Sequence, residues 1–130
     1  MNLTYILIKP FRAAIIISIL LGASQIAFSQ DCSKLPTSFT SYAQASQLIK
    51  SSTFKIHESV NTSKSSWVRG ASYYSCDSQK GFLIIKTDNG EYIHQNVPVE
   101  VWKSFKNASS FGSYYDHFIK GNYRLNLNFN

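Results

Sequence analysis

Residues 82–95 constrain the fold most, because their pattern is that of a β-hairpin. Phe82 to Thr87 is an apolar run of strand length, and Asp88-Asn89-Gly90-Glu91 follows it. Asn-Gly at the centre of a two-residue loop is the strongest short-range hairpin signal. Tyr92 to Gln95 is therefore the predicted returning strand, and part of the core must be built on an antiparallel sheet.

The predicted turn also sets a register, in which Asp88 pairs with Glu91 across the Asn89-Gly90 loop. This pairing divides the hairpin into two faces. One face carries Leu83, Ile85, Thr87, Tyr92 and His94, and the other carries Phe82, Ile84, Lys86, Ile93 and Gln95. Because both faces bear large apolar side chains, we expect both to be covered.

The flanking segments predict an α+β fold. Trp67 to Cys76 is rich in aromatic and β-favouring residues, which adds a first strand and makes a three-stranded antiparallel meander. Pro98 suits the first turn of a helix, and apolar residues then recur at helical spacing at Val101, Trp102, Phe105 and Ala108. Phe111 to Tyr123 is a short aromatic-rich element expected to fold back over the core.

A helical N-terminal extension is predicted to cover the second face of the sheet. Tyr42 to Lys50 follows a helical period, with an apolar side that matches Phe82, Ile84 and Ile93 in size. The helix after Pro98 is assigned to the face of Leu83, Ile85 and Tyr92. Thr53 to Val60 alternates in a way compatible with a strand, and Asn61 to Ser66 is a Ser/Thr-rich connector.

The first 29 residues have the pattern of a secretory signal peptide. Lys9 and Arg12 supply a positive region, Ala13 to Leu21 an apolar region, and Ala27-Phe28-Ser29 a small-residue cleavage site. The apolar run is shorter than the roughly 20 residues of a membrane span. We therefore expect a secreted or periplasmic protein that keeps no membrane anchor after cleavage. The predicted units are 1–29 signal peptide, 30–62 extension with one helix, 63–124 central domain and 125–130 tail, a last strand or a frayed end.

Two cysteines, Cys32 and Cys76, remain in the exported part. Exported thiols usually pair, and closing a loop of about 45 residues constrains the unfolded chain by roughly 4 kcal/mol in the chain-entropy model. Neither a CxxC pair nor a zinc-type spacing supports a metal site or a catalytic thiol. A disulfide is predicted.

Residues Ser65 to Tyr123 resemble the KTSC domain, which occurs at the C-terminus of some lysyl-tRNA synthetases and as a free-standing bacterial protein. The resemblance rests on Ser65-Ser66-Trp67, on Leu83, Ile85, Gly90 and Tyr92, on Val97-Pro98, on Ala108 to Tyr115, and on Ile119-Lys120 and Tyr123. It implies three antiparallel strands and a following helix. It implies no established activity, although RNA binding has been suggested for the family, and the family's central Tyr-x-Tyr is Tyr92-Ile93-His94 here.

No catalytic or cofactor motif stands out in the sequence. HExxH, G-x-S-x-G and glycine-rich phosphate loops are absent, so no enzyme, metal or cofactor is predicted. His94 is expected to be a partly buried, hydrogen-bonded residue, and Trp102, Phe105 and Tyr92 to belong to the core. The leading hypothesis is a non-enzymatic binding module for a protein or polymer partner.

The alternative hypothesis is binding of nucleic acid, which export does not favour, or of another anionic polymer. Removing Lys9 and Arg12 from the 13 basic residues leaves 11 against 7 acidic ones, a net charge of +4. Aromatic rings beside cations can stack the bases of single strands. The candidate ligand-binding residues are Lys103, Lys106, Tyr114, Tyr115, Lys120 and Arg124, of which Tyr114 and Tyr115 are the best candidates for exposed rings.

Overall fold

The main sheet of the protein has four antiparallel strands, in a computed structural model that describes residues 29–129. The elements are β1 (Gln30–Asp31), α1 (Tyr42–Ser51), β2 (Ser52–Thr53), β3 (Ile56–Val60), β4 (Gly70–Ser75), β5 (Lys80–Thr87), β6 (Gly90–Pro98), α2 (Val99–Lys106) and α3 (Phe111–Tyr114). A π-helical turn, Tyr115–Ile119, continues α3. β1 and β2 form a separate parallel pair, and the sheet order is β3-β4-β5-β6. The predicted signal peptide, up to residue 28, lies outside the described residues.

The α+β class is confirmed, but the prediction of a three-stranded meander was wrong. The fourth strand, β3, comes from the N-terminal extension and pairs with β4 along its whole length, from Ile56 opposite Ser75 to Val60 opposite Ala71. Ile56 and Val60 also pack against the core on one face of the sheet. This burial explains why a short alternating segment joins the sheet.

The hairpin forms where predicted, but its register differs. Thr87 pairs with Gly90 and Ile85 with Tyr92, so the loop residues are Asp88 and Asn89. Neither loop residue has a positive φ, whereas Gly90, which follows them, has a φ of +129°. The loop therefore lies one residue earlier in the chain than predicted, and each residue of β5 near the turn pairs with a residue two positions earlier in β6. A combined shift of two residues preserves the side-chain alternation, so the predicted membership of each face is unchanged.

The first face packs against α2 and the chain after it. Trp102 and Phe105 are fully buried on α2, as predicted, and lie over Leu83 and Ile85. The ring of Tyr73 stacks on Trp102 with centroids 5.4 Å apart, and its hydroxyl donates to the carbonyl of Val97 at 2.7 Å. The same cluster includes Phe111, Tyr115 and Ile119, which confirms that the aromatic-rich segment folds back over the core.

The second face is covered by α1, as the amphipathic pattern predicts. Ser41 caps the helix by accepting from the backbone N–H of Gln44 at 3.0 Å. Ala45 and Ile49 on its inner side are fully buried, together with Ile84 and Ile93 of the sheet. Each such side chain contributes roughly 1.5–3 kcal/mol before entropy is subtracted, so the extension supplies a second core.

The disulfide prediction is confirmed: Cys32 and Cys76 are bonded, with Cα atoms 5.8 Å apart. The bond joins the start of the extension to the end of β4. The C-terminal tail is also fixed, because Leu125 is buried and the backbone of Phe39 bonds to Asn126 and Asn128. Of the two alternatives for the tail, a short strand-like pairing is therefore the one found.

Candidate binding cleft around Trp67

Trp67 stands between two adjoining surface grooves, and together they form what we call the Trp67 cleft. The first groove has a volume of about 420 Å³, and five of its ten lining residues are serines. Its walls are Lys64, Ser65, Ser66, Trp67, Ser109, Ser110, Phe111, Gly112, Ser113 and Asp116. The second, of about 250 Å³, is lined by Trp67, Thr87, Asp88, Asn89, Tyr92, Tyr115, Asp116 and Lys120. Trp67 and Asp116 belong to both.

Two loops distant in sequence meet at the first groove. The hydroxyl of Ser65 accepts from the backbone N–H of Val68 at 3.0 Å and turns the chain, so β4 begins at Gly70 rather than at the predicted Trp67. Lys64 crosses to the second loop, where its Nζ donates to the carbonyl of Ala108 at 2.8 Å and lies 4.5 Å from the centroid of Phe111. These contacts fix one loop on the other.

Gly112 allows Trp67 to approach the second loop closely. A Cβ atom at this position would lie 2.3 Å from Nε1 of Trp67 and 2.8 Å from its Cε2. Only a residue without a side chain fits there. The indole N–H of Trp102 donates to Glu58. The indole N–H of Trp67, by contrast, has no acceptor among residues 29–129. Because no buried side-chain nitrogen in this range is left unsatisfied, Nε1 of Trp67 is not completely buried.

A buried polar pair supports the wall of the second groove. His94 lies with Nε2 3.0 Å from the Tyr115 hydroxyl and Nδ1 3.3 Å from the carbonyl oxygen of Tyr123. Since a carbonyl can only accept, Nδ1 carries the proton and Nε2 accepts from Tyr115. Burial lowers the pKa of His94 and raises the pKa of Tyr115 to about 12. Both groups are therefore neutral near pH 7, and Tyr115 meets Trp67 edge to face at 5.7 Å.

The charges that line the cleft balance. Lys64 and Lys120 are opposed by Asp88 and Asp116. Asp88 is also held by Arg69, with Nε–Oδ1 and Nη2–Oδ2 distances of 3.1 and 3.3 Å. With Arg69 included, three cations and two carboxylates lie in or beside the cleft, so only a small part of the positive charge of the exported chain is found here.

The structure does not bring the six predicted ligand-binding residues together. Tyr115 and Lys120 line the second groove, but Lys103, Lys106, Tyr114 and Arg124 line neither groove. Tyr115 is buried, which makes its prediction as an exposed ring wrong. Lys106 bonds Glu58 at 2.7 Å, and this contact lowers the pKa of the carboxyl group. Binding of an anionic polymer therefore stays a prediction, and the six residues do not form one surface that would support it.

Several cleft residues were missed as site residues by the sequence analysis. Tyr92 was assigned to the core, yet it lies near the start of β6, close to the hairpin loop, and is 44% exposed. Ser65, Ser66 and Trp67, and the segment from Ser109 to Gly112, carry the family resemblance but were not predicted as a site. The feature of the sequence that could have indicated them is the recurrence of serine in both segments.

The comparisons with known proteins bear on the segment that builds this cleft. Residues 64–123 match the KTSC domain family. This match supports the domain prediction and contains all the lining residues of both grooves. Searches of curated proteins and of solved structures gave no significant match. Within residues 29–129, no helix is both long and apolar enough to cross a membrane.

Proposed function

We propose that this protein is an exported, non-enzymatic binding module that holds its ligand in the Trp67 cleft. It would be a free-standing, secreted or periplasmic form of the KTSC domain. The resemblance also relates this domain to the C-terminus of some lysyl-tRNA synthetases. The observation that carries the proposal is the convergence of two signature segments, Ser65–Trp67 and Ser109–Gly112, on the same concave surface. Concave surfaces that combine aromatic side chains with convergent polar groups are a common form of ligand site.

Two features support export and binding rather than chemistry. The Cys32–Cys76 disulfide suits an oxidising compartment. The imidazole of His94, which supports the wall of the second groove, is buried and has both nitrogens engaged, so it serves to orient Tyr115. An acid–base role for His94 would require a ring nitrogen free to exchange protons with a ligand.

The two tryptophans allow a direct test by NMR. Trp67 borders the cleft and Trp102 is fully buried, so their indole N–H signals report on the cleft and on the core. The probes are chitohexaose, cellohexaose, maltohexaose, a heparin oligosaccharide, oligothymidine and an extended peptide. We expect at least one probe to shift the Trp67 signal and leave that of Trp102 in place. If every probe leaves the Trp67 signal unmoved, the cleft is not a site for these ligand classes and the proposal fails.

A further inference from the structure

We infer that the ligand of the Trp67 cleft is a neutral saccharide chain, which lies across Trp67 from the hydroxyl-lined groove to the aromatic one. This inference rests on the proposed binding function and names its ligand class. Three observations lead to it: the chemical type of the lining side chains, the position of Trp67, and the balance of charge.

The lining side chains match a ligand that presents hydroxyl groups at its edges and C–H groups on its faces. Within the described residues, neither groove is lined by an aliphatic side chain. The walls instead combine aromatic rings with hydroxyl, amide and carboxylate groups. Hydroxyl groups both donate and accept, as sugar hydroxyls do. An amphipathic helical peptide would instead call for a hydrophobic groove, and a proline-rich peptide would use the aromatic rings but not the many hydroxyl groups.

The aromatic rings provide contacts for the faces of sugar rings. The π face of an aromatic ring is negatively polarised and attracts the positive edges of neighbouring groups, which C–H bonds of a pyranose supply. Trp67 offers its ring together with an Nε1 atom that is not completely buried, and Tyr92 offers an exposed ring in the second groove. A sugar unit over Trp67 could accept from Nε1 while its neighbour reaches Tyr92.

The charge balance favours a neutral chain over a polyanion. Proteins that bind single-stranded nucleic acid line the groove with positive charge. Here Asp88 and Asp116 stand against Lys64, Lys120 and the Arg69 that bonds Asp88, so the local net charge is only +1. A phosphate or sulfate chain would meet these carboxylates at the same walls.

The test measures the affinity of the intact protein for chitohexaose, cellohexaose and maltohexaose by calorimetry. We expect at least one of them to bind, with an affinity that changes less than about twofold between roughly 50 and 200 mM salt. Over that range, binding through several phosphate contacts weakens by orders of magnitude. Trp67→Ala should weaken binding by about tenfold or more, which equals about 1.4 kcal/mol. Trp67→Phe, which keeps a ring but loses the N–H, should fall in between.

Matched variants keep the test decisive. Tyr92→Ala removes an exposed ring of the cleft, so it tests the inference even if Trp67→Ala is too unstable to assay. Phe118→Ala removes a ring that is 56% exposed but outside both grooves, and it should bind as the parent does. If none of the neutral oligosaccharides binds while heparin or oligothymidine shifts the Trp67 signal, the ligand class is wrong and the binding function stands. If a neutral oligosaccharide binds the Tyr92 variant and every testable Trp67 variant with the affinity of the parent, it binds outside the Trp67 cleft and the inference is wrong.

Discussion

Replacing Gly112 with alanine should destabilise the protein by displacing Trp67. The new Cβ would lie 2.3 Å from Nε1 and 2.8 Å from Cε2 of the indole, so the ring or the loop must move by about 1 Å. Overpacking of this kind costs typically 1–3 kcal/mol, and the rigid indole places this case near the upper end. Because Gly112 lies in α3, alanine returns up to about 1 kcal/mol of helix propensity. We therefore expect a net loss of about 2 kcal/mol.

Urea and thermal unfolding followed by circular dichroism measure this loss without relying on tryptophan emission. A change of about 2 kcal/mol lowers the Tm of a domain of this size by roughly 8–16 °C. Gly70→Ala is the matched control, since its Cβ would lie 3.6 Å from Cβ of Lys86, an ordinary contact. That variant should be neutral or slightly stabilising, because alanine reduces the entropy of the unfolded chain.

A double-mutant cycle decides whether the clash is the cause. In a Trp67→Ala background the obstructing ring is gone, so Gly112→Ala should become neutral or stabilise by up to about 1 kcal/mol. An equal loss in both backgrounds would refute the reasoning, because the penalty would then not come from the indole.

Three further predictions concern the core, the disulfide and pH. Ile49→Ala and Ile93→Ala should each lower the free energy of unfolding by about 2–5 kcal/mol in a urea titration, because both side chains are buried in the second core. Tyr42 is 47% exposed, so Tyr42→Ala should change the same free energy by less than about 0.5 kcal/mol. Thiol titration of the unfolded, non-reduced protein should find no free thiol, and two reactive thiols would contradict the bonded pair. The double variant Cys32→Ser, Cys76→Ser should have a free energy of unfolding lower by roughly 4 kcal/mol. Burial lowers the pKa of His94 below its unfolded value, so its contribution to stability is fully present above about pH 6.5 and declines as the pH falls toward the folded pKa. His94→Gln should flatten this slope below about pH 6.5, and an unchanged slope would exclude His94 as its source.

The sequence alone was sufficient for the class of fold and for the two-sided core. Alternation in Phe82 to Thr87 divides apolar side chains between two faces, and the helical periods of Tyr42–Lys50 and Val101–Phe105 supply a cover for each. These patterns are local, because a side chain's face follows from its parity along the strand. Even the register error at Asp88-Asn89 left the faces intact, since it moved the pairing by two residues.

Only the tertiary structure decided which side chains meet across the chain. β3 alternates weakly by itself and becomes a strand of the main sheet because Ile56 and Val60 find a core to pack on. Burial of Tyr115 and exposure of Tyr92 depend on where the segment after α2 lies over the sheet. The Trp67 cleft arises in the same way, because Gly112 and Trp67 are separated by most of the sheet in sequence and touch only once α3 has docked. Contacts of this range depend on the whole packed fold, and no short sequence period encodes them.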